Sequence, residues 1–424
     1  MVDYETFNAM EALVDQVGES VQHTIEEYHD NALKAYEYLA APGGYIELLG
    51  VTAPEVYHDD LEEIAEWNDD NLGGSYGIDA SVTHEETFTN GIRLVFANAK
   101  IGIIGANDHS LADESHVVAG VYDEHGETGL ESDRVMETDT ITSDLEVYTA
   151  DDPYETRQII KDITRTYAEG RHLRRVVGAD EGFVFVDGPL YPPQTLSEVM
   201  VHHRQGKPTA WTDLLGKNVG NYLQAVDSTL DDGWPIVGVV KSMDTSSLVN
   251  DLTEKVKVHG RSSINLVWDT DNAYLLDLLQ PEDSGDLVHT SWFEETGRYC
   301  RIADEDGNKR VEPFEGSPYC SQNLDTYHRA FFYVRLTGTG TIMRIETAKG
   351  YVEDRRSREL IKNRVLAEIA RSGSSPECIL RADKHARLTR QNQDTLFSSL
   401  RRRMQKDLNY HADVRGPNYL DSQS

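Results

Sequence analysis

Apolar positions along the chain change period several times, and each change predicts an element. From residue 4 to 41 they recur at helical spacing (Phe7, Met10, Leu13, Val14, Val17, Val21, Ile25) until Ala41-Pro42-Gly43-Gly44 breaks the run, which predicts a helical stretch ended by turn residues. A second helix is predicted from about Pro54 to Asn68. From Ser75 the period shortens, and strands are predicted over 75–80, 82–89, 91–105, 116–121 and 133–139. Thr89-Asn90-Gly91 joins the second to the third, a strong hairpin signal. A long helix follows from about Pro153 to Val176, then a strand ending at Asp187 and helices over 194–204 and 210–228. A strand from Trp234 to Lys241 leads into a helix near 245–256, and strands resume over 285–302 and 327–347. Helices near 353–372 and 391–407 and a polar tail close the chain.

Antiparallel strands followed by helix, strand, helix, strand and helix form an α/β pattern with a mixed sheet. An acidic residue on the first strand and another on a later parallel strand suit a ribonuclease H-like sheet flanked by helices. A chain of 424 residues exceeds what one hydrophobic core usually covers. Residues 1–72 read as an N-terminal helical arm for packing or dimerisation, 73–390 as the core, and 391–424 as a C-terminal helix with a polar tail.

Two apolar strands run into an aspartate: Tyr76-Gly77-Ile78-Asp79-Ala80-Ser81 and Phe183-Val184-Phe185-Val186-Asp187-Gly188-Pro189-Leu190. A run apolar on both faces reads as a strand inside a sheet, and both aspartates are expected at strand ends. A carboxylate there needs a cation or a donor, because burying it unpaired costs several kcal/mol or shifts its pKa. Each alone could serve an Asx-turn or a helix cap. Together they point to a hard divalent metal and metal-assisted phosphoester chemistry. Glu155 is the better candidate for a third ligand and Glu169, beside Gly170 and expected to be solvated, the second. Asp152-Pro153-Tyr154-Glu155 also fits an N-cap, a proline at N1 and a capping-box glutamate. Mg²⁺ or Mn²⁺ is commonly held by a few carboxylates with phosphate and water. Two such ions can activate the attacking water and stabilise the leaving oxygen without a protein nucleophile. Lys241, at the end of another apolar strand, could contact a phosphate or simply extend into solvent. Arg171 to Arg175, Arg355-Arg356 and Arg401 to Arg403 are candidate backbone contacts or solvated helix faces, and His202-His203 reads as surface.

The formal net charge of −34 changes this picture. Acidic pairs such as Asp59-Asp60, Asp151-Asp152 and Asp231-Asp232 are spread along the whole chain, so they do not form a disordered tail. A uniformly acidic surface suits a salt-rich cytoplasm, as in a halophilic archaeon, where a Debye length of about 3 Å near 1 M makes self-repulsion tolerable. In such salt the charge does not decide against a nucleic-acid partner. Cys300, Cys320 and Cys378 have no Cys-x-x-Cys spacing, which excludes a zinc ribbon and fits a reducing compartment. No signal peptide and no membrane-length apolar run is seen, so a cytoplasmic protein without a membrane partner is expected. No Gly-x-x-x-x-Gly-Lys-Ser/Thr loop is present, which argues against ATP chemistry and a nucleotide hydrolase.

From about Tyr76 to Leu388 the chain resembles the archaeal NurA nucleases. The likeness rests on Ile78-Asp79-Ala80-Ser81, on Val186-Asp187-Gly188-Pro189-Leu190, and on the order of two later segments. Those are Val237-Gly238-Val239-Val240-Lys241 and Phe331-Phe332-Tyr333 with Met343-Arg344-Ile345-Glu346. The resemblance implies an RNase H-like, PIWI-related core and a homodimer. It also implies Mn²⁺-dependent 5′-to-3′ exonuclease and single-strand endonuclease activity on DNA. The partner it implies is the hexameric HerA translocase, in resection of double-strand breaks during recombinational repair. By position Asp79 and Asp187 take the aspartate roles, and the family's glutamate falls on Glu155. Where the family often has Tyr-Pro and then Ala-His, this chain has Ser375-Pro376 and Ala382-Asp383, with His385 two residues on. Asp383 is the better substitute, since a carboxylate is a competent ligand for a hard cation; His385 is the alternative. These departures leave room for a second reading, a non-catalytic DNA- or motor-binding assembly subunit on a degenerate core.

Overall fold

The structure is a computed structural model. It describes residues 26–67, 73–88, 91–105, 110–123, 126, 128–149, 153–177, 182–207, 209–230, 234–241, 245–260, 266–283, 285–296, 312–336 and 340–403, with backbone alone at 110, 153–158, 401 and 403. The expected hairpin at Thr89-Asn90, most of the first predicted helix and Asp152 lie outside the described residues. The chain divides into two compact units, one of 1–67, 240–297 and 328–374, the other of 68–239, 298–327 and 375–424.

In chain order, the first unit begins with helix α1 (26–36), strands β1 (Ile46–Leu48) and β2 (Val56–Asp60) and helix α2 (Leu61–Glu66). The second unit follows with β3 (Gly74–Val82), β4 (Glu86–Thr87), β5 (Arg93–Ile104), β6 (Ser115–Tyr122), β7 (Asp133–Glu137) and β8 (Ile141–Tyr148). It continues with α3 (Pro153–Val176), β9 (Gly182–Asp187), α4 (Pro193–Arg204), α5 (Leu214–Leu230) and β10 (Ile236–Val240). The chain then returns to the first unit for α6 (Ser247–His259), α7 (Asp271–Leu278), β11 (Asp286–Thr290) and β12 (Phe293–Glu295). β13 (Arg329–Leu336), β14 (Ile342–Ala348) and α8 (Arg355–Ser372) complete that unit, and α9 (Glu377–Ala386) and α10 (Arg390–Arg403) end in the second.

In the first unit β1, β12, β13 and β14 are neighbours in an antiparallel sheet, with β11 joining β13 to β2. Tyr36, Leu252, Tyr274, Phe293 and Tyr333 meet in its core. The helix expected over Pro54–Asn68 is instead a strand and then a short helix. Val56 to Asp60 pair with Thr290 to Asp286, and Asp60 caps α2 by accepting the Glu62 and Glu63 amides, both at 2.9 Å. The Val-Tyr-His start suits a half-buried strand, and the capping carboxylate moves the helix start past it.

The second unit holds a mixed sheet in the order β10-β9-β3-β5-β6-β8-β7. β10, β9 and β3 run parallel, β5 is antiparallel to both β3 and β6, and β6 and β8 run parallel. β8 carries a period-two pattern (Ile141, Ser143, Leu145 and Val147 against Thr142, Asp144, Glu146 and Tyr148) that the expected strands left out. Both faces of this sheet are covered. Ala80, Ala97, Ala99 and Val118 pack against Tyr167 and Ala168 of α3. Phe397 of α10 packs with Phe88, Leu94 and Val121. This is a mixed α/β fold, as the alternation of strands and helices indicates.

Candidate metal centre

The parallel ladder between β3 and β9 runs from Gly74↔Gly182 to Ile78↔Val186. Asp79 and Asp187 are the next residue on each strand, so strands lying about 4.8 Å apart carry the two carboxylates side by side. Asp187 ends β9 as expected. Asp79 does not end its strand: Ala80 to Val82 stay paired with Ala99 to Ala97 of β5. The reason is that β5 outlasts β9, so β3 keeps one partner after losing the other. Gly188 leaves the strand at φ +133°, a backbone region that side chains other than glycine's rarely enter.

The face on which Asp79 lies follows from its neighbours, because residues two apart on a strand share a face. A Cβ on Gly77 would stand 2.2 Å from the Cys378 carbonyl carbon, and one on Gly102, its partner across the ladder, 2.1 Å from the Cys378 oxygen. These two glycines let α9 lie directly on the sheet. Further along, Ser81 Oγ donates to the Ala386 carbonyl, as does Asn98 Nδ2 at 3.2 Å. Asp79 sits between Gly77 and Ser81, under the middle of α9. Asp383 is on that stretch of helix and is exposed. His385 instead places Nδ1 3.4 Å from the Ile101 carbonyl.

From the other face α3 brings Arg165 and Glu169, one turn apart. Glu169 is only 3% exposed, which corrects the expectation that it is solvated. Its Oε1 accepts from the Tyr222 hydroxyl at 3.0 Å, and Arg165 Nη1 lies 3.7 Å from Oε2. Oε2 has no hydrogen-bond partner among the described residues. Glu155 lies in the first turn of α3, about 21 Å back along the helix axis, and its side chain falls outside what is described. Glu169 is therefore the glutamate that the structure brings to the aspartates.

The NurA domain family model matches residues 75–388. The chain belongs to the NurA family. Among solved structures it is similar to the NurA nuclease from Sulfolobus solfataricus, at 10% identity and TM-score 0.46, covering 97% of this chain and 100% of that one. It is also similar to NurA with manganese (10%, TM-score 0.43, 83% of this chain and 97% of that one). A third is NurA bound to dAMP and manganese (10%, TM-score 0.43, 95% and 98%). No relative among the curated proteins matches.

The electrostatics of this NurA chain's acidic cluster are those of a site short of positive charge. Burial, then Asp187, then Asp383 raise the Asp79 carboxyl to about 6, against the Ala80 amide, which donates to Oδ1 at 2.8 Å, and the more distant Arg165. Burial, Asp79 and Asp187 raise Glu169 to about 8, against Arg165 and the Tyr222 hydroxyl. Burial disfavours the charged form and nearby like charges add to it. A hard divalent cation would relieve both, and an all-oxygen donor set suits it. Glu169 Oε2, buried and without a hydrogen-bond donor, fits the same group. As the side chains stand, no three His, Cys, Asp or Glu residues close around an ion among the described residues.

The remaining candidates do not join this cluster. Lys241 follows β10, is exposed, and belongs to the first unit. His202 lies 3.9 Å from Asp213. Of the arginine run, Arg171 lies 3.4 Å from Asp144 and Arg175 pairs with Glu114. Among the described residues no helix is long and apolar enough to cross a membrane. Arg165 and Tyr222 went unnoticed in the sequence; the i, i+4 spacing of Arg165 and Glu169 was a signal for the first, and nothing local pointed to the second.

Proposed function

We propose that this chain is a divalent-metal-dependent nuclease hydrolysing phosphodiester bonds of DNA. The single observation that carries the reading is that Asp79 and Asp187 follow the last β3–β9 rung side by side, with Asp383 near enough to raise the Asp79 carboxyl and both aspartates near enough to raise Glu169. An acidic residue within a central strand, a second on the neighbouring parallel strand and a glutamate from the intervening helix support the RNase H-like reading of the site. Asp79, Asp187 and Glu169 would hold Mn²⁺ or Mg²⁺, with Asp383 beside them in place of the family's histidine. When bound, such an ion supplies Lewis acidity toward a phosphoryl oxygen.

The chain's own residues do the rest. The Ala80 amide fixes one oxygen of Asp79, and Tyr222 fixes one oxygen of Glu169. Arg165, half-buried beside Glu169, offsets part of the carboxylate charge and is close enough to solvent to meet a substrate phosphate. The family reading extends this proposal to two ions, 5′-to-3′ exonuclease and single-strand endonuclease action, and a homodimer. It further extends to partnership with the HerA translocase in double-strand break resection, in the cytoplasm of a salt-adapted cell.

The test is loss of linear DNA in molar salt with Mn²⁺ for Asp79→Asn and Asp187→Asn. Each variant should fall more than about 100-fold, beyond the 10–100-fold typical of changes next to a metal site, with unchanged circular dichroism. Full activity in both variants would remove the site. A folded wild type that binds DNA but never cleaves it, with any divalent ion, would favour the assembly-subunit reading.

A further inference from the structure

Seven Lys or Arg but only three Asp or Glu lie between Glu377 and Arg403, a positive balance within a chain of net charge −34. The stretch holds α9 and α10, and α9 carries Asp383, whose charge reaches Asp79. The surplus of cations therefore adjoins the acidic cluster.

Local geometry decides which of these cations are available. α9 buries Cys378, Ile379, Ala382 and Ala386, which at about 100° per residue puts Lys384 on the far side of the helix from the sheet. The Arg387 amide donates to the Asp383 carbonyl at 3.1 Å. Arg387 thus stands one turn beyond Asp383 on the same flank, the flank from which Asp383 acts on Asp79. Arg390 opens α10 three residues on. α10 is held to the sheet by Phe397 and by Gln393, whose Oε1 accepts from the His84 amide at 3.1 Å. Lys384, Arg387 and Arg390 are all exposed, and none has an ion pair or a side-chain hydrogen bond among the described residues. Arg381 differs, being tied to Glu377 at 2.6 Å and to the Ile103 carbonyl at 3.1 Å.

A surface that repels polyanions over most of its area admits one only where unpaired cations are grouped. In molar salt long-range attraction is screened, so contacts must be direct, and arginine offers a phosphate two-point hydrogen bonding. Three cations in line along one helix end and the turn after it fit one strand. A duplex presents two phosphate lines about 12 Å apart across its major groove. We propose that Lys384, Arg387 and Arg390 hold successive phosphates of a single DNA strand and lead it into the acidic cluster. The row of cations follows from the fold; the choice of DNA rests on the nuclease reading.

The test is fluorescence anisotropy in EDTA, where no hydrolysis occurs, with a labelled oligothymidylate and with a duplex of equal length. Wild-type protein should bind the single strand at least fivefold more tightly than the duplex. The triple variant Lys384→Gln, Arg387→Gln, Arg390→Gln removes three phosphate contacts. At about 0.7 counterions each, it should flatten the dependence of log K on log salt by about 2. It should also bind about tenfold more weakly at about 0.3 M KCl, with unchanged circular dichroism. A charge-matched control, Lys34→Gln, Lys217→Gln, Lys257→Gln, changes exposed lysines elsewhere and should bind as wild type. Equal loss in the control, no loss in the triple variant, or no binding of the strand by wild type would each overturn the assignment. So would duplex binding as tight as single-strand binding, or displacement of the strand by polyglutamate as readily as by unlabelled DNA, which would make the row a site for an acidic protein. Strand binding through these residues in a protein that never cleaves DNA with any divalent ion would sink the nuclease reading and leave the surface standing.

Discussion

Replacing Glu169 by glutamine should make the metal-free protein more stable, and the gain should grow with pH. In the folded chain this carboxyl is held at about 8, against an ordinary 4.5. Between those values the folded state keeps a proton that the unfolded state has lost, so stability falls as pH rises. At 1.36 kcal/mol per unit, the loss at pH 7 is about 3 kcal/mol, approaching about 5 kcal/mol above pH 8. A glutamine side chain in that place would carry no such penalty, and its amide oxygen can still accept from Tyr222. Urea unfolding in EDTA at fixed molar salt should therefore show no gain for Glu169→Gln near pH 4, about 3 kcal/mol at pH 7, and more at pH 8. Saturating Mn²⁺ should reverse the ranking, because ligation needs the ionised carboxylate and binding to the folded state alone is stabilising. A variant with the same pH dependence as wild type in EDTA would show that Glu169 is not the strained acid described. A gain in EDTA that Mn²⁺ does not reverse would remove Glu169 from the metal centre while leaving its burial intact.

Two further outcomes are expected. Gly77→Ala should destabilise the protein by about 1–3 kcal/mol, as overpacking does, because its Cβ has no room under Cys378; thermal melts would read it, and a neutral result would mean that α9 does not rest on β3. Lowering salt from about 2 M to 0.1 M should lower the melting temperature markedly, since a net charge of −34 then repels over a Debye length of about 10 Å rather than a few; a flat response would refute adaptation of the surface to salt.

Much of the sheet could be read from the chain because burial on both faces leaves a local mark. Gly182 to Val186 is apolar throughout, and it is a central strand with parallel neighbours on both sides. Asp187 at its end was legible for the same reason. Asp79 was legible as an acid at the close of an apolar run but not as a residue inside a strand, since the length of β3 depends on β5 continuing past β9. α9 went unseen because ten residues give little period to read, although Pro376 before Glu377 and the apolar set Cys378, Ile379, Ala382 and Ala386 mark a helix. Glu169 looked solvated because its hydrogen-bond partner, Tyr222, lies on a different helix.

The same dependence on partners explains why the cluster forms at this rung. A strand paired on both sides separates the two faces of its sheet. Asp79 faces α9, and α3 covers the opposite face, so along most of β3 groups on the two helices are screened from one another. Where β9 ends, β3 has lost its partner on that side, and the backbone layer between the faces is open. There Asp187, itself half-buried, carries the last side chain of one strand beside Asp79 of the next. Asp383 adds charge from one face, and Arg165 and Glu169 add theirs from the other. The raised carboxyls of Asp79 and Glu169 record this, since each is pushed up by Asp187 and Glu169 by Asp79 across the sheet. Had β9 run two residues further, ladder hydrogen bonds would fill the gap and four acids from four elements would share no common space. The place where one strand stops thus decides which acids act on one another, and the glycines under α9 let the helix that carries Asp383 lie directly on the sheet.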